Sequence, residues 1–141
     1  MNGLGEQLRR HSVALISLAV AVSSLSYNTW RNEKTEANRN IRAAGFEVLV
    51  KLGELERVRF FGHYDHDQQM GNPRTGWAYV LTIRDLGRLL PEPAQSSTAE
   101  LVATWNEHWS GLGSSDASAQ KISDAIDACR ENVLMSLREL D

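Results

Sequence analysis

The chain has little of what cross-links a small protein or equips it for chemistry. One of its 141 residues is cysteine, Cys129, which excludes an intramolecular disulfide and a cysteine-rich metal site. Only three prolines occur, and none lies between Gly3 and Asn72, so nothing in that stretch forbids one uninterrupted helix. Net charge is -3, with lysine and arginine dispersed. A nucleic-acid surface needs a concentrated basic face, so no nucleic-acid partner is expected. Gly111-Leu112-Gly113 has neither the preceding strand nor the following lysine of a phosphate loop. No His-Glu-x-x-His pattern or local serine-histidine-acid set occurs, although a triad assembled from distant residues would leave no local motif. No cofactor is expected, and of the two readings a non-enzyme is preferred to an enzyme.

Charge is also missing from Ser12 to Thr29, between Arg9-Arg10 and Arg31. At about 1.5 Å per residue, about 18 helical residues reach about 27 Å, close to the hydrocarbon thickness of a bilayer. The segment is apolar all round, where a helix on a small soluble domain would keep one polar face. Arg9 and Arg10 on one side, and Tyr27, Trp30 and Arg31 on the other, are the residue types of a membrane interface. A cleaved signal peptide is the competing reading, with Ala19-Val20-Ala21 as the small-x-small site. The apolar run continues past it to Leu25 without a helix breaker. A helix lying flat in the interface would need charges on one face, and there are none. Ala14, Ser17, Ala21 and Ser24 share one face, the ordinary small-residue content of such spans and a possible packing surface.

Two orientations compete. Arg31, Lys34, Arg39 and Arg42 outnumber Arg9 and Arg10, and by the positive-inside count this keeps the C-terminal part in the cytoplasm. A short tail with paired arginines before an apolar run is also the form of a signal anchor, which exports the domain C-terminal to it. Of the two, the exported domain is preferred.

The remainder predicts helices and no strand. The expected organisation is an N-terminal tail over 1–11, a transmembrane anchor over 12–30, and a helical bundle over 31–141. From Asn32 to Phe61, Ile41, Ala44, Gly45, Val48, Leu49, Leu52, Leu55 and Val58 recur at three and four, one helical stripe. With no proline before it, this helix is expected to continue the anchor. Gly62 to Gly71 lacks periodicity and predicts a loop. Asn72-Pro73 has the cap-then-proline order of a helix start, and Trp77, Val80, Leu81, Arg84 and Leu89-Leu90 continue it to Pro91, with Gly76 and Gly87 as interruptions. Ser97-Thr98-Ala99-Glu100 matches a capping box. Leu101, Trp105, His108 and Leu112 would come next on one stripe, ended by Gly111 and Gly113. Ile122, Ile126, Cys129, Val133, Leu137 and Leu140 form the clearest stripe, predicted to pack along the helix after the anchor. The fold class is therefore all-α: a single transmembrane helix continuing into an antiparallel bundle of about four helices.

Three constellations carry candidate chemistry. His63, Asp65, His66 and Asp67 offer four potential metal ligands in one loop, though solvated turns commonly have this composition. His108 lies between Trp105 and Trp109, a set that could sense pH or cage a cationic ligand, with packing as the simpler role. Cys129, on an apolar stripe, is expected to be inert.

Tyr27-Asn28-Thr29-Trp30-Arg31-Asn32-Glu33, leading into Ala44-Gly45-Phe46-Glu47-Val48-Leu49 and Lys51-Leu52-Gly53-Glu54-Leu55, resembles uncharacterised small bacterial single-pass inner-membrane proteins. The resemblance covers the anchor exit and the following helix. It implies a bacterial inner-membrane setting and no activity. The function expected is that of a membrane-anchored interaction or scaffold module, acting through another protein or through self-association. The alternatives are a ligand-sensing bundle working with a partner subunit, and a metal-binding protein using the 63–67 loop.

Overall fold

The structure is a computed structural model that describes the backbone of residues 4–140 and the side chains of residues 11–140. All its regular structure is helical: α1 Leu4–His63, α2 Pro73–Gly87, α3 Ala94–His108 followed by a 3-10 turn Trp109–Gly111, and α4 Asp116–Arg138. Among the described residues there is no strand. The chain divides into two compact units between Ala37 and Asn38, somewhat later than the expected boundary at 30/31. Helix begins at Leu4, so the described part of the expected N-terminal tail is already helical.

In the first unit every side chain from residue 11 to 30 is exposed, among them Leu15, Leu18, Val22 and Leu25. Among the described residues one helix is long and apolar enough to cross a membrane, and none of its apolar window is buried within the protein.

The second unit is an up-and-down four-helix bundle, and its contacts give the direction of each neighbour. Along α2 and α3, Gly76 meets Trp105 and Gly87 meets Thr98, so the two helices run antiparallel. Ala94 N donates to Ser136 Oγ (3.3 Å) at one end of α3 and α4, while His108 lies against Ser118 at the other. The bundle part of α1 pairs with α4 in the same sense: Arg42 donates to the Leu140 carbonyl (2.6 Å), and His63 sits 3.5 Å from Asp116. Val48, Leu52, Leu55 and Val58 of α1 enclose the core with Val80, Ile83, Leu101, Trp105, Ile122, Ile126, Cys129 and Val133. Burial of about a dozen such side chains, each contributing roughly 1.5–3 kcal/mol, is the main driving force for the unit.

Local signals explain the starts of α2 and α4. Asn72 Oδ1 accepts from Arg74 N (3.0 Å) and Pro73 occupies the first turn of α2. Ser115 Oγ accepts from Ser118 N (3.2 Å) at the start of α4. The α3 start differs from expectation. Helix begins at Ala94, Ser97 and Thr98 are buried inside it, and the Ser97–Glu100 capping box does not form. The amides are satisfied upstream instead: Ser96 N and Oγ donate to the Glu92 carboxylate (3.2 and 2.8 Å), and the Ser136 hydroxyl covers Ala94 N. Proline at 93, pre-set for helical φ, makes the earlier start accessible.

Two further differences concern glycine. α3 ends through the 3-10 turn, and among the described residues no glycine has positive φ, so the left-handed stop expected at Gly111 and Gly113 is absent. In α2 the buried face is Gly76, Val80, Ile83 and Gly87, while Leu81 is exposed, as is Leu89 beyond the end of the helix. A Cβ on Gly76 would fall 2.2 Å from Trp105 Cζ2, and one on Gly87 would fall 2.1 Å from Thr98 Oγ1. The glycines that interrupt the sequence pattern are the points where α3 seats on α2.

Candidate functional site

The helix α1 carries two stripes in the bundle unit. One faces the core, as its spacing predicts. The other lies on the opposite side and recurs at four, three, four, three and four: Phe46, Val50, Gly53, Arg57, Phe60 and Tyr64. All six are exposed, and Phe46, Val50, Phe60 and Tyr64 show 60, 56, 46 and 59% of their surface. Such a seam, straight at a period of 3.5 residues, is the form that a neighbouring helix covers. The apolar residues form two exposed pairs, Phe46 with Val50 and Phe60 with Tyr64, on either side of Gly53 and Arg57.

The C-terminal end of this face is held by its own contacts. The Phe60 and Tyr64 rings lie 5.2 Å apart, and the Arg59 guanidinium stands 5.6 Å over the Tyr64 ring. Arg59 Nε donates to Glu56 Oε1 (2.9 Å), and this hydrogen bond raises the arginine pKa against the opposing effect of burial. Arg57 pairs with Glu54 (3.4 Å) on the rim, and Lys51 pairs with Glu47 (3.3 Å). A Cβ on Gly53 would have nothing within 4 Å, so the middle of the face is open.

The candidate metal ligands are drawn apart. His63 Nδ1 faces the Leu112 carbonyl (3.3 Å) and Nε2 faces Asp116 (3.5 Å). Asp67 Oδ1 accepts from Gln69 N and Met70 N (2.8 and 2.9 Å), the Met70 bond first and then the Gln69 bond holding its carboxyl below the usual range. Asp65 and His66 are exposed, and His66 takes φ of 50°, a left-handed conformation that histidine enters more often than most residues. Among the described residues, no three His, Cys, Asp or Glu side chains are placed to hold a metal ion together. The loop is instead fixed by a backbone contact. A Cβ on Gly71 would fall 2.1 Å from Gly62 N, so the loop lies directly on the end of α1. Beside it is a cleft of about 430 Å³ whose walls include His66, Asp67, Asn72 and Arg74.

No family model, curated protein or solved structure matches this chain. The functional reading therefore rests on the residues and their geometry.

The second constellation is also separated. Trp105 is fully buried in the core beneath Gly76, with no hydrogen-bond partner at Nε1. His108 lies 3.5 Å from Ser118 Oγ, and Trp109 packs edge-on to Trp77 at 6.2 Å. Cys129 is buried, and burial pushes its thiol up to about 11, against the lesser pull of Ser97 and Arg130. A thiol in that state is a poor nucleophile. Of the membrane-interface residues, Tyr27, Trp30 and Arg31 are exposed, the two rings 6.1 Å apart, while the side chains of Arg9 and Arg10 lie outside the described residues.

The outer stripe is not among the sites expected from the sequence, although its signal is there. Phe46, Val50, Phe60 and Tyr64, with Gly53 and Arg57 between the two pairs, follow a four-three spacing about 160° round the helix from the centre of the core stripe at 100° per residue.

Proposed function

We propose that this protein is a membrane-anchored interaction module of the bacterial inner membrane, with its bundle exported and the outer face of α1 as the contact surface. The observation that carries the reading is the exposed Phe46, Val50, Phe60 and Tyr64 seam on a helix whose opposite side already fills the bundle core. The apolar 11–30 segment supports the anchor, and the arginine pair before it supports the exported orientation. The work of such a protein is to hold another polypeptide at the membrane, and it requires no reacting group.

The test places a photo-crosslinking side chain at Phe46 or Tyr64 in the full chain, expressed in bacterial membranes, and compares it with the same group at Lys121 on α4. Discrete adducts from the α1 positions and none from Lys121 are expected. Equal, diffuse labelling from all three would refute the surface. A periplasmic reporter fused after Asp141 is expected to be active, and activity of a cytoplasmic reporter there would reverse the orientation.

A further inference from the structure

We infer that the cleft between α2 and α3 binds a phosphate monoester, held by Arg84 and Arg88. The cleft encloses about 320 Å³ and is walled by Arg84 and Arg88 of α2 and by Gln95, Thr98, Ala99 and Val102 of α3. Small-molecule sites begin at about 300 Å³ and combine apolar walls with a few convergent polar groups. Here two guanidiniums and an amide share the cleft with Ala99 and Val102. No carboxylate belongs to its walls, in a chain whose net charge is -3. The cleft lies on a different helix pair from the outer face of α1, so the inference does not depend on the interaction reading.

Charge selects the ligand. Arg84 and Arg88 stand one helical turn apart on the same side of α2, about 6 Å along the axis, so both guanidiniums can reach one group. Arg88 is exposed and, among the described residues, has no ion pair. Arg84 gives Nε to Asp85 (3.0 Å), which leaves its other N–H donors. The two side chains of that pair are 42 and 59% exposed, and a pair so placed is weak enough to yield to a better partner. On the α3 side, Glu92 is committed to Ser96 N and Oγ (3.2 and 2.8 Å). A guanidinium offers forked donors that match phosphate oxygens, and a phosphate monoester carries close to two negative charges above its second pKa of about 6. Two arginines answer that charge, where a carboxylate supplies only half of it.

The cleft is also held in shape by the fold. Thr98 is buried and its hydroxyl donates to the Gln95 carbonyl (2.8 Å), while a Cβ on Gly87 would fall 2.1 Å from that same hydroxyl oxygen. α2 and α3 therefore meet at close range between the two arginines and Gln95, and this contact sets the width of the cleft. Walls already in place spare a ligand the cost of ordering them. Ala99 and Val102 leave an apolar side for the carbon chain of the ester. The same headgroup occurs on a soluble ester and on phosphatidic acid in a bilayer, and the two sources are separated by experiment.

The experiment follows thermal unfolding of the full chain by tryptophan fluorescence. In mild detergent the probe is propyl phosphate, with propionate as the carboxylate control; in the second arm the chain is held in phosphatidylcholine vesicles with and without phosphatidic acid. A ligand that binds only the folded form raises the melting temperature as its concentration rises. Saturable stabilisation is expected from at least one phosphate probe, with an affinity about tenfold lower in Arg88→Gln, since a hydrogen bond to a charged group is lost. Arg84→Gln combined with Arg88→Gln should abolish the stabilisation, and Arg88→Lys should keep only part of it, because lysine lacks the fork. Arg74→Gln, at an exposed arginine of the same helix outside the cleft, should leave it unchanged. The melting temperature of each variant without probe reports whether its fold survives. Stabilisation by propyl phosphate alone assigns the site to a soluble ester, by phosphatidic acid alone to the lipid headgroup, and by both to the shared group; each supports the site when the double substitution removes it. No stabilisation by either probe, an equal response to propionate, or an equal loss with Arg74→Gln and Arg88→Gln overturns the inference.

Discussion

Replacing Gly76 by alanine tests how α2 and α3 are joined. The new Cβ would sit 2.2 Å from Trp105 Cζ2 and 2.4 Å from Cη2, where carbon atoms prefer about 3.5–4.0 Å. The indole has no exposed surface, so relief requires moving α2 or displacing a side chain packed on every side. Overpacking of this kind costs about 1–3 kcal/mol, occasionally more, and the misfit here exceeds an ångström, placing it at the upper end. Alanine returns about 1 kcal/mol of helix propensity over glycine, leaving a net loss of about 2 kcal/mol. For a domain of this size that is a fall in melting temperature of roughly 10 °C. The assay is thermal unfolding of the full chain in mild detergent, followed by tryptophan fluorescence. Trp105→Phe removes the two offending carbons, so the alanine should cost at least about 1 kcal/mol less in that background. Gly53→Ala, with nothing within 4 Å of the added carbon, should have the opposite sign and stabilise by about 1 kcal/mol. A melting temperature unchanged or raised by Gly76→Ala, or an equal loss in the Trp105→Phe background, would refute the seating of Trp105 on Gly76.

The other predictions are independent of that joint. The Cys129 thiol is pushed up from its ordinary 9.0 to about 11, so the fold favours its neutral form. The stabilisation is complete below pH 9 and is lost as pH rises towards 11, by roughly 2–3 kcal/mol, and wild type should lose that much more than Cys129→Ala in denaturant titrations across the window. Ser136→Ala leaves Ala94 N without its acceptor, while Pro91 O keeps the Gln95 amide (3.3 Å), and should cost about 1–2 kcal/mol, with faster amide exchange in the first turn of α3. Gly71→Ala drives a methyl into the Gly62 backbone without a helix-propensity gain, and should cost about 2–3 kcal/mol and raise proteolysis of the 64–72 loop.

How much of the molecule was legible in the sequence differs from element to element. The α4 stripe of Ile122, Ile126, Cys129 and Val133 is buried as its spacing predicts, because large apolar residues at three and four leave one solution. Asn72-Pro73 likewise starts α2, since both residues act on their own backbone. Glycine misleads, because the same residue breaks a helix or admits a neighbour, and only the neighbour decides. At Gly76 and Gly87 that neighbour is α3, which no local window contains. The Ser97–Glu100 pattern fails for a similar reason: the hydroxyl that covers Ala94 N comes from Ser136, 42 residues away. Of the candidate sites, the 63–67 cluster could be read only as composition, and the chain spends Asp67 on its own turn and His63 on the α3–α4 connection. The outer stripe was legible in principle and hidden by the stronger stripe beside it.

The contact of Ser136 with Pro91 and Ala94, and of Arg42 with Leu140, also sets a timetable. During synthesis α1 leaves the ribosome with its core face bare, and the residues that cap and cover it arrive almost a hundred positions later. The domain therefore closes as one event only once α4 has emerged, since a unit folds when its own sequence is out. Until then, Val48, Leu52 and Leu55 remain a sticky, unfinished surface, and a chaperone that binds nascent apolar segments has its longest opportunity on this helix.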